Sequence, residues 1–185
     1  MERSNARGFE FKDIQQKVKG KKLMIGAGID NRPGWVTLDI VPCEGIDVVH
    51  DLDVFPYPFE TSEISYIFAK HVVEHLTDIV KVMEECHRIL KPNGFFEIIV
   101  PYYKHRNAYT DPTHKHFFTK YTMDYFIDKG GRTKIDWYSN VRFKKIIQKK
   151  YNNGFPFWHI RQRTGIWIET PFFADTMHWL LQVIK

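Results

Sequence analysis

Cysteine is scarce in this chain: 185 residues carry only Cys43 and Cys86, which stand in different stretches. That excludes a disulfide-stapled scaffold and a cysteine metal centre, so both thiols are expected to be buried or incidental. No apolar run approaches the roughly 20 residues of a membrane span. The start, Met1-Glu2-Arg3-Ser4-Asn5, has no apolar leader, and a cytoplasmic protein without a membrane span is expected. Internal repeats and low-complexity tracts are missing as well. A composition of 43% hydrophobic, 26% charged and 16% aromatic residues excludes disorder over most of the length. The length suits one domain with a sizeable core.

A surplus of one charge is present, but it is diffuse. The net charge is +5, with basic runs at Lys19 to Lys22 and Arg142 to Lys150. They form no single dense tract, so the simpler reading is a solvated face. An anionic or nucleic-acid partner stays open, although no aromatic and basic stacking motif of an RNA module is present.

The most informative feature is also marked by something missing. Leu23-Met24-Ile25-Gly26-Ala27-Gly28 reads as a buried strand opening into a glycine turn, and Trp35-Val36-Thr37-Leu38-Asp39 as a second strand that delivers a carboxylate beside it. A dinucleotide site would need G-x-G-x-x-G and an acid roughly 20 residues onward, with a crossover helix between. Here Asn31 takes the place of the third glycine and Asp39 comes too early, while Asp30, Asn31, Pro33 and Gly34 favour turns. No long first helix is expected. Without its N-terminus a diphosphate loses its usual holder, which argues for a nucleoside ligand lacking phosphates.

Along the rest of the chain, Phe9, Phe11, Ile14 and Val18 fall at near-helical spacing and suggest an amphipathic lead-in helix within residues 1–20. Gly45 to Asp51 reads as a third strand ending in an acid, and Ile64 to Ala69 as a fourth. Leu76 to Leu90 carries a helical stripe of Ile79, Val80, Met83, Cys86 and Leu90, terminated by Lys91-Pro92-Asn93-Gly94. Gly94 to Val100 follows as a fifth strand, apolar enough to be buried on both faces. Tyr102 to Thr119 is a polar and aromatic loop. Lys120 to Lys129 reads as a helix closed by Gly130-Gly131, and Val141 to Lys149 and His178 to Ile184 as a last strand pair that closes the sheet antiparallel. Arg161 to Ala174 is hard to read. Phe155-Pro156-Phe157-Trp158-His159 and Pro171-Phe172-Phe173 add aromatic surface for packing, an acceptor cover or a dimer contact.

Five pieces taken together carry a resemblance: Met24 to Gly28, Val36 to Asp39, Val48-Val49-His50-Asp51-Leu52, His71-Val72-Val73-Glu74-His75-Leu76, and Arg88 to Gly94. Their order and spacing resemble class I S-adenosylmethionine-dependent methyltransferases, closest to the type 11-like group with a shortened first helix. The match covers about Lys21 to Thr119. It implies an α/β, single-domain Rossmann-like fold over residues 21–185, with a mostly parallel sheet. Residues 21–101 would then form the cofactor half and 102–185 the acceptor side. It further implies that Gly26, Ala27 and Gly28 line the methionine part of S-adenosyl-L-methionine and that Asp39, with Ile40 beside it, binds the ribose. Asp51 and Leu52 would flank the adenine, and Lys70 and His71 would stand beside the methionine end. The pattern departs from the family at the missing third glycine and at Asn93, where Asn still tolerates a left-handed turn. Glu74 reads as a structural brace at a helix start.

The loop after the fifth strand holds His105, His114 and His116 with Asp111, and an Asp-Pro-Thr-His element like this one helps form the acceptor side in relatives. A metal-dependent hydrolase using His105, Asp111, His114 and His116 is one alternative. Methyl transfer from a sulfonium needs no metal, because its leaving group is already activated, so none is expected. What it needs is in-line positioning and dryness, with a base only if the nucleophile carries a proton. Histidine suits that role. His71, His114, His105 and His116 are the candidates, with Tyr102, Tyr103, Asp111 and His114 on the acceptor side. The reading is a methyltransferase acting on an oxygen or nitrogen of a small molecule, with a homodimer open. A non-catalytic cofactor-binding partner or sensor is the main alternative. The early acid counts against a nicotinamide oxidoreductase.

Overall fold

The computed structural model describes residues 6–30, 32–128, 139–151 and 175–185, with side chains from Phe11 onward. Strands β1 (Lys22–Ile25), β2 (Trp35–Asp39), β3 (Val48–Val49), β4 (Ile64–Lys70), β5 (Leu90–Pro101), β6 (Arg142–Tyr151) and β7 (Thr176–Ile184) form one sheet. Its order is β3-β2-β1-β4-β5-β7-β6. The first five run parallel, and β7 enters antiparallel between β5 and β6. This is the expected Rossmann-like α/β architecture with its antiparallel closing pair.

The sequence dictates where the sheet is buried. Every side chain of β4 from Ile64 to Ala69 is buried, as befits a central parallel strand covered on both faces. On one face α2 (Ile79–Ile89) buries Val82, Met83, Cys86 and Ile89, a stripe at helical spacing. On the other face α1 (Ala6–Lys17) places Phe11 in a cluster with Met24, Tyr66, Phe68 and Leu180. The docking of α1 is also polar: Phe11 stacks on His178 at 3.6 Å. His178 Nε2 stands 2.7 Å from Glu97 Oε1, and Gln15 Nε2 donates to Glu97 Oε2 at 2.6 Å. The Tyr66 hydroxyl donates to the same carboxylate. Burial, foremost, and that carboxylate push the Tyr66 pKa upward, so the phenol stays neutral.

Between β1 and β2 the described residues make only turns, so the usual first helix is absent from them. Asn93 takes φ 63°, the left-handed conformation expected of it. Gly94 is required by crowding, since a Cβ there would lie 2.9 Å from the Lys91 carbonyl oxygen. Burial pushes the Cys86 thiol well up, leaving it inert, whereas Cys43 is exposed.

Four expected elements change. The fifth strand starts at Leu90, not Gly94, and runs through the segment expected as a turn. The third strand shrinks from Gly45–Asp51 to Val48–Val49, because Asp47 is spent on a side-chain knot with Thr37. Its Oδ2 accepts from Thr37 N at 2.9 Å, and its own N–H donates to Thr37 Oγ1 at 3.0 Å. The helix expected from Leu76 starts at Ile79, since Asp78 caps it by accepting from Lys81 N at 3.0 Å, and Val73–His75 form a separate 3-10 turn. Lys120 to Lys129 is not an α-helix: a 3-10 turn spans Thr122–Phe126, preceded by Thr122 Oγ1 accepting from Thr119 N at 2.9 Å. Local side-chain bonds of this kind compete with helix formation. The two aromatic clusters at 155–159 and 171–173, and the segment 161–174, lie outside the described residues.

Candidate functional site

Two cavities meet at the carboxyl ends of the parallel strands, where open α/β sheets hold ligands. The first forms at the glycine turn. Gly26 and Gly28 take φ 61° and 54°, both left-handed. At Gly26 a Cβ would come within 2.5 Å of Val72 Cγ2, whereas at Gly28 nothing lies within 4 Å. The first glycine therefore permits packing and the second faces open space. Gly28 N donates to Asp39 Oδ2 at 2.8 Å, and Val41 N to Asp39 Oδ1 at 3.0 Å. A carboxylate offers about four lone-pair sites, so Asp39 is fixed by the backbone and keeps acceptor capacity for a diol.

The cavity here measures about 200 Å³ and is lined by Gly26, Ala27, Lys70 and His71, with Met24 and Phe68. The other expected cofactor residues, Ile40, Asp51 and Leu52, are not among the residues that line it. Ile40 is 59% exposed just past β2. Asp51 Oδ1 accepts from Asp53 N at 2.9 Å, and Leu52 is buried, its carbonyl accepting from the Tyr57 hydroxyl at 3.0 Å.

His71 follows β4 with φ 53°, although it is not glycine. That conformation costs roughly 1–2 kcal/mol, and it is held by a 2.9 Å bond from its N–H to the Ile99 carbonyl. Strain of this sort persists where surrounding structure enforces it, commonly at working sites. His71 also lines the second cavity, of about 610 Å³, together with Glu74, His75, Asp111 and His114.

The second cavity is roofed by the histidine loop, which includes a short helix α3 (Asn107–Thr110). The loop is fastened to the 3-10 turn below it: Lys115 N and His116 N both donate to the Glu74 carbonyl, at 2.9 and 3.2 Å. His75 Nδ1 lies 2.8 Å from Thr113 Oγ1. Lys115 Nζ donates to Thr77 Oγ1 at 2.8 Å and meets Asp53 Oδ2 at 3.4 Å. Partial burial opposes ionisation of Asp53, but bonds from Thr77 and Lys115 outweigh it and hold the carboxyl below its usual range. Asp111 is also held low, first by the Thr113 hydroxyl and then by the Thr113 N–H.

The candidate histidines separate by their bonds. His114 lines the cavity, with Nδ1 2.9 Å from the Ala108 carbonyl. His105 is braced at both nitrogens: Nδ1 accepts from Asn107 N at 3.2 Å, and Nε2 stands 3.0 Å from Asp175 Oδ1. His116 Nε2 is 3.3 Å from the Thr77 carbonyl. Tyr102 is buried, donating its N–H to the Asp175 carbonyl at 2.9 Å, and its ring meets that of Tyr103 at 4.9 Å. Burial foremost raises the Tyr102 pKa. Both tyrosines flank the base of the loop without lining either cavity described here.

Glu74 and His75 were not expected at the site. Glu74 is 1% exposed, with Oε1 3.3 Å from His71 Nδ1 and Oε2 without a hydrogen-bond partner among the described residues. Its signal in the sequence was the spacing His71-x-x-Glu74-His75, which a single turn brings onto one side. One ligand atom each from Glu74, His75 and His114 lie within 4.8 Å of one another.

Among known proteins, residues 27–98 match the family model described as a methyltransferase domain, of type 11. No curated protein matches the chain. Solved structures do: an S-adenosylmethionine-dependent methyltransferase from Archaeoglobus fulgidus is 16% identical, with 97% of this chain and 94% of that one covered at a TM-score of 0.58. Another from Mesorhizobium loti is 11% identical, with 94% and 97% covered at 0.57. The trans-methyltransferase CalH in complex with SAH is 13% identical, with 89% and 51% covered at 0.53. No helix of the described residues is long and apolar enough to cross a membrane. With its glycine turn, early acid and sheet order, the chain shares the Rossmann-like α/β fold of these methyltransferase structures, and its residues 27–98 are similar to the type 11 methyltransferase domain.

Proposed function

We propose that the protein transfers a methyl group from S-adenosyl-L-methionine to an oxygen or nitrogen nucleophile of a small acceptor by direct displacement. The observation that carries this reading is His71, which lines both the glycine-turn cavity and the histidine-loop cavity. A donor in the first and an acceptor in the second meet at that side chain. The glycine-turn cavity, at about 200 Å³, suits part of such a donor, with the ribose reaching the Asp39 carboxylate.

The chemistry asks little more of the chain. The acceptor's lone pair forms a bond to the methyl carbon as the carbon–sulfur bond breaks, and the electron pair stays on sulfur. Positioning supplies most of the rate. Where the nucleophile carries a proton, His71 Nε2 takes it, while Glu74 Oε1 faces Nδ1 and orients the ring. His114 and Asp111 contact the acceptor, and His105 and His116 brace the loop.

An acceptor cavity of about 610 Å³ supports a small molecule, and the net charge of +5 suits an anionic one. Calorimetry with S-adenosylhomocysteine, followed by detection of its release with S-adenosylmethionine and cell extract as acceptor pool, tests the reading. Binding with release is expected. Binding without any release would make the protein a cofactor-binding partner or sensor, and no binding would remove the donor assignment.

A further inference from the structure

We propose that Glu74, His75 and His114 form a binding site for one divalent transition-metal cation of the Zn²⁺ class, in the wall of the histidine-loop cavity. The ligands are Glu74 Oε2 and the Nε2 atoms of both imidazoles.

Hydrogen bonds set the protonation pattern that such a site requires. His114 Nδ1 faces the Ala108 carbonyl at 2.9 Å, and a carbonyl only accepts, so Nδ1 carries the hydrogen and Nε2 keeps its lone pair. Thr113 Oγ1 donates to Asp111 Oδ1 at 2.7 Å, so toward His75 Nδ1, 2.8 Å away, it accepts. His75 is thereby held in the same tautomer. A neutral imidazole whose Nδ1–H is bound to a carbonyl, or through a hydroxyl to a carboxylate, is the usual outer support of a metal ligand.

Glu74 is the independent observation. Its carboxylate is 1% exposed, and Oε2 has no partner among the described residues. Leaving a buried carboxylate oxygen without a partner is costly, and a cation at Oε2 removes that cost. One ligand atom from each of the three residues lies within 4.8 Å of the other two, a spacing that imidazole rotation can close onto an ion about 2.1 Å from each ligand. Two imidazoles and one carboxylate suit Zn²⁺, Co²⁺, Ni²⁺ or Fe²⁺. Three protein ligands leave a position open toward the cavity. If the methyl-transfer reading holds, that position receives the acceptor's oxygen beside His71; the site itself does not rest on that reading.

The test uses the full chain, stripped with a chelator and titrated with Co²⁺, whose visible d–d absorption reports its coordination. One equivalent should bind with the intensified bands of a four- or five-coordinate site. His114→Ala and His75→Ala should each weaken binding at least tenfold, and Thr113→Val, which removes outer support, roughly tenfold. Because variants can misfold, Zn²⁺ is added to ¹⁵N-labelled wild-type protein, where the Nε2 resonances of two histidines should shift. No stoichiometric Co²⁺ binding, unchanged affinity in both alanine variants, or unmoved histidine resonances would overturn the proposal. Titrating S-adenosylhomocysteine separately keeps a failure of the donor reading distinct from a failure of the metal site.

Discussion

Around Gly26 and Gly28 the cavity is shaped by a left-handed main-chain turn, positioned by strand register and by one carboxylate tied back to a backbone N–H, with Met24, Phe68, Lys70 and His71 completing its lining. Across His71, the histidine-loop cavity is made of side chains, and its shape depends on a loop fastened to the 3-10 turn through the Glu74 carbonyl, Thr113 and Lys115. A backbone-built pocket tolerates little change in conformation and recognises a fixed ligand. A pocket built from side chains on a loop can be retuned residue by residue, which would suit the proposed acceptor side. His71 belongs to both.

Substituting His71 should show the largest effect on activity. His71→Asn retains a residue that tolerates a left-handed backbone but removes the base. The account expects kcat to fall about 100-fold or more for a protonated nucleophile, while donor affinity by calorimetry changes far less. Equal losses in both would place His71 in the donor pocket alone. Gly26→Ala should then cost about 1–3 kcal/mol of stability by overpacking against Val72, read from denaturant unfolding. Gly28→Ala, facing open space, should cost less.

Asp39→Ala should weaken donor binding more than tenfold, about 1.4 kcal/mol, without changing acceptor preference. Unchanged affinity in a folded variant would break the donor half of the comparison. The smallest effect concerns the loop. Asp53 and Asp111 have carboxyl pKa values held below their ordinary range when folded. Their anchoring is therefore fully present above the unfolded value near 3.9 and is lost as pH falls through the folded values. Hydrogen exchange at residues 111–116 should accelerate below about pH 4, while the glycine turn stays protected. Simultaneous opening would mean the two regions unfold as one. Lys115→Met should raise exchange in the same segment with less than about 1 kcal/mol of lost stability.

The donor half was the more legible in sequence, and the reason is physical. Buried parallel strands write continuous apolar runs, a glycine turn has few substitutes, and the stripe on α2 follows from burying one helical face. Residues 23–39 and 79–100 therefore read close to their final form. What failed was where side chains compete with backbone ladders: the Thr37 and Asp47 knot that shortens β3, and the Thr119 and Thr122 contacts before the 3-10 turn at Thr122–Phe126. The four histidine candidates could not be ranked by type, because their roles are set by hydrogen-bond partners far apart in the chain. His105 meets Asp175, and His116 meets the Thr77 carbonyl. Glu74 read as a brace, and its carbonyl does brace the loop. Its buried and unpartnered Oε2 appears only once the loop is folded over it.

In a crystal structure with S-adenosylhomocysteine, the homocysteine part should lie between Gly26 and His71, the ribose hydroxyls on the Asp39 carboxylate, and the sulfur should face the cavity lined by His71 and His114. Ligand density away from Asp39, or a sulfur separated from that cavity by the histidine loop, would contradict this placement.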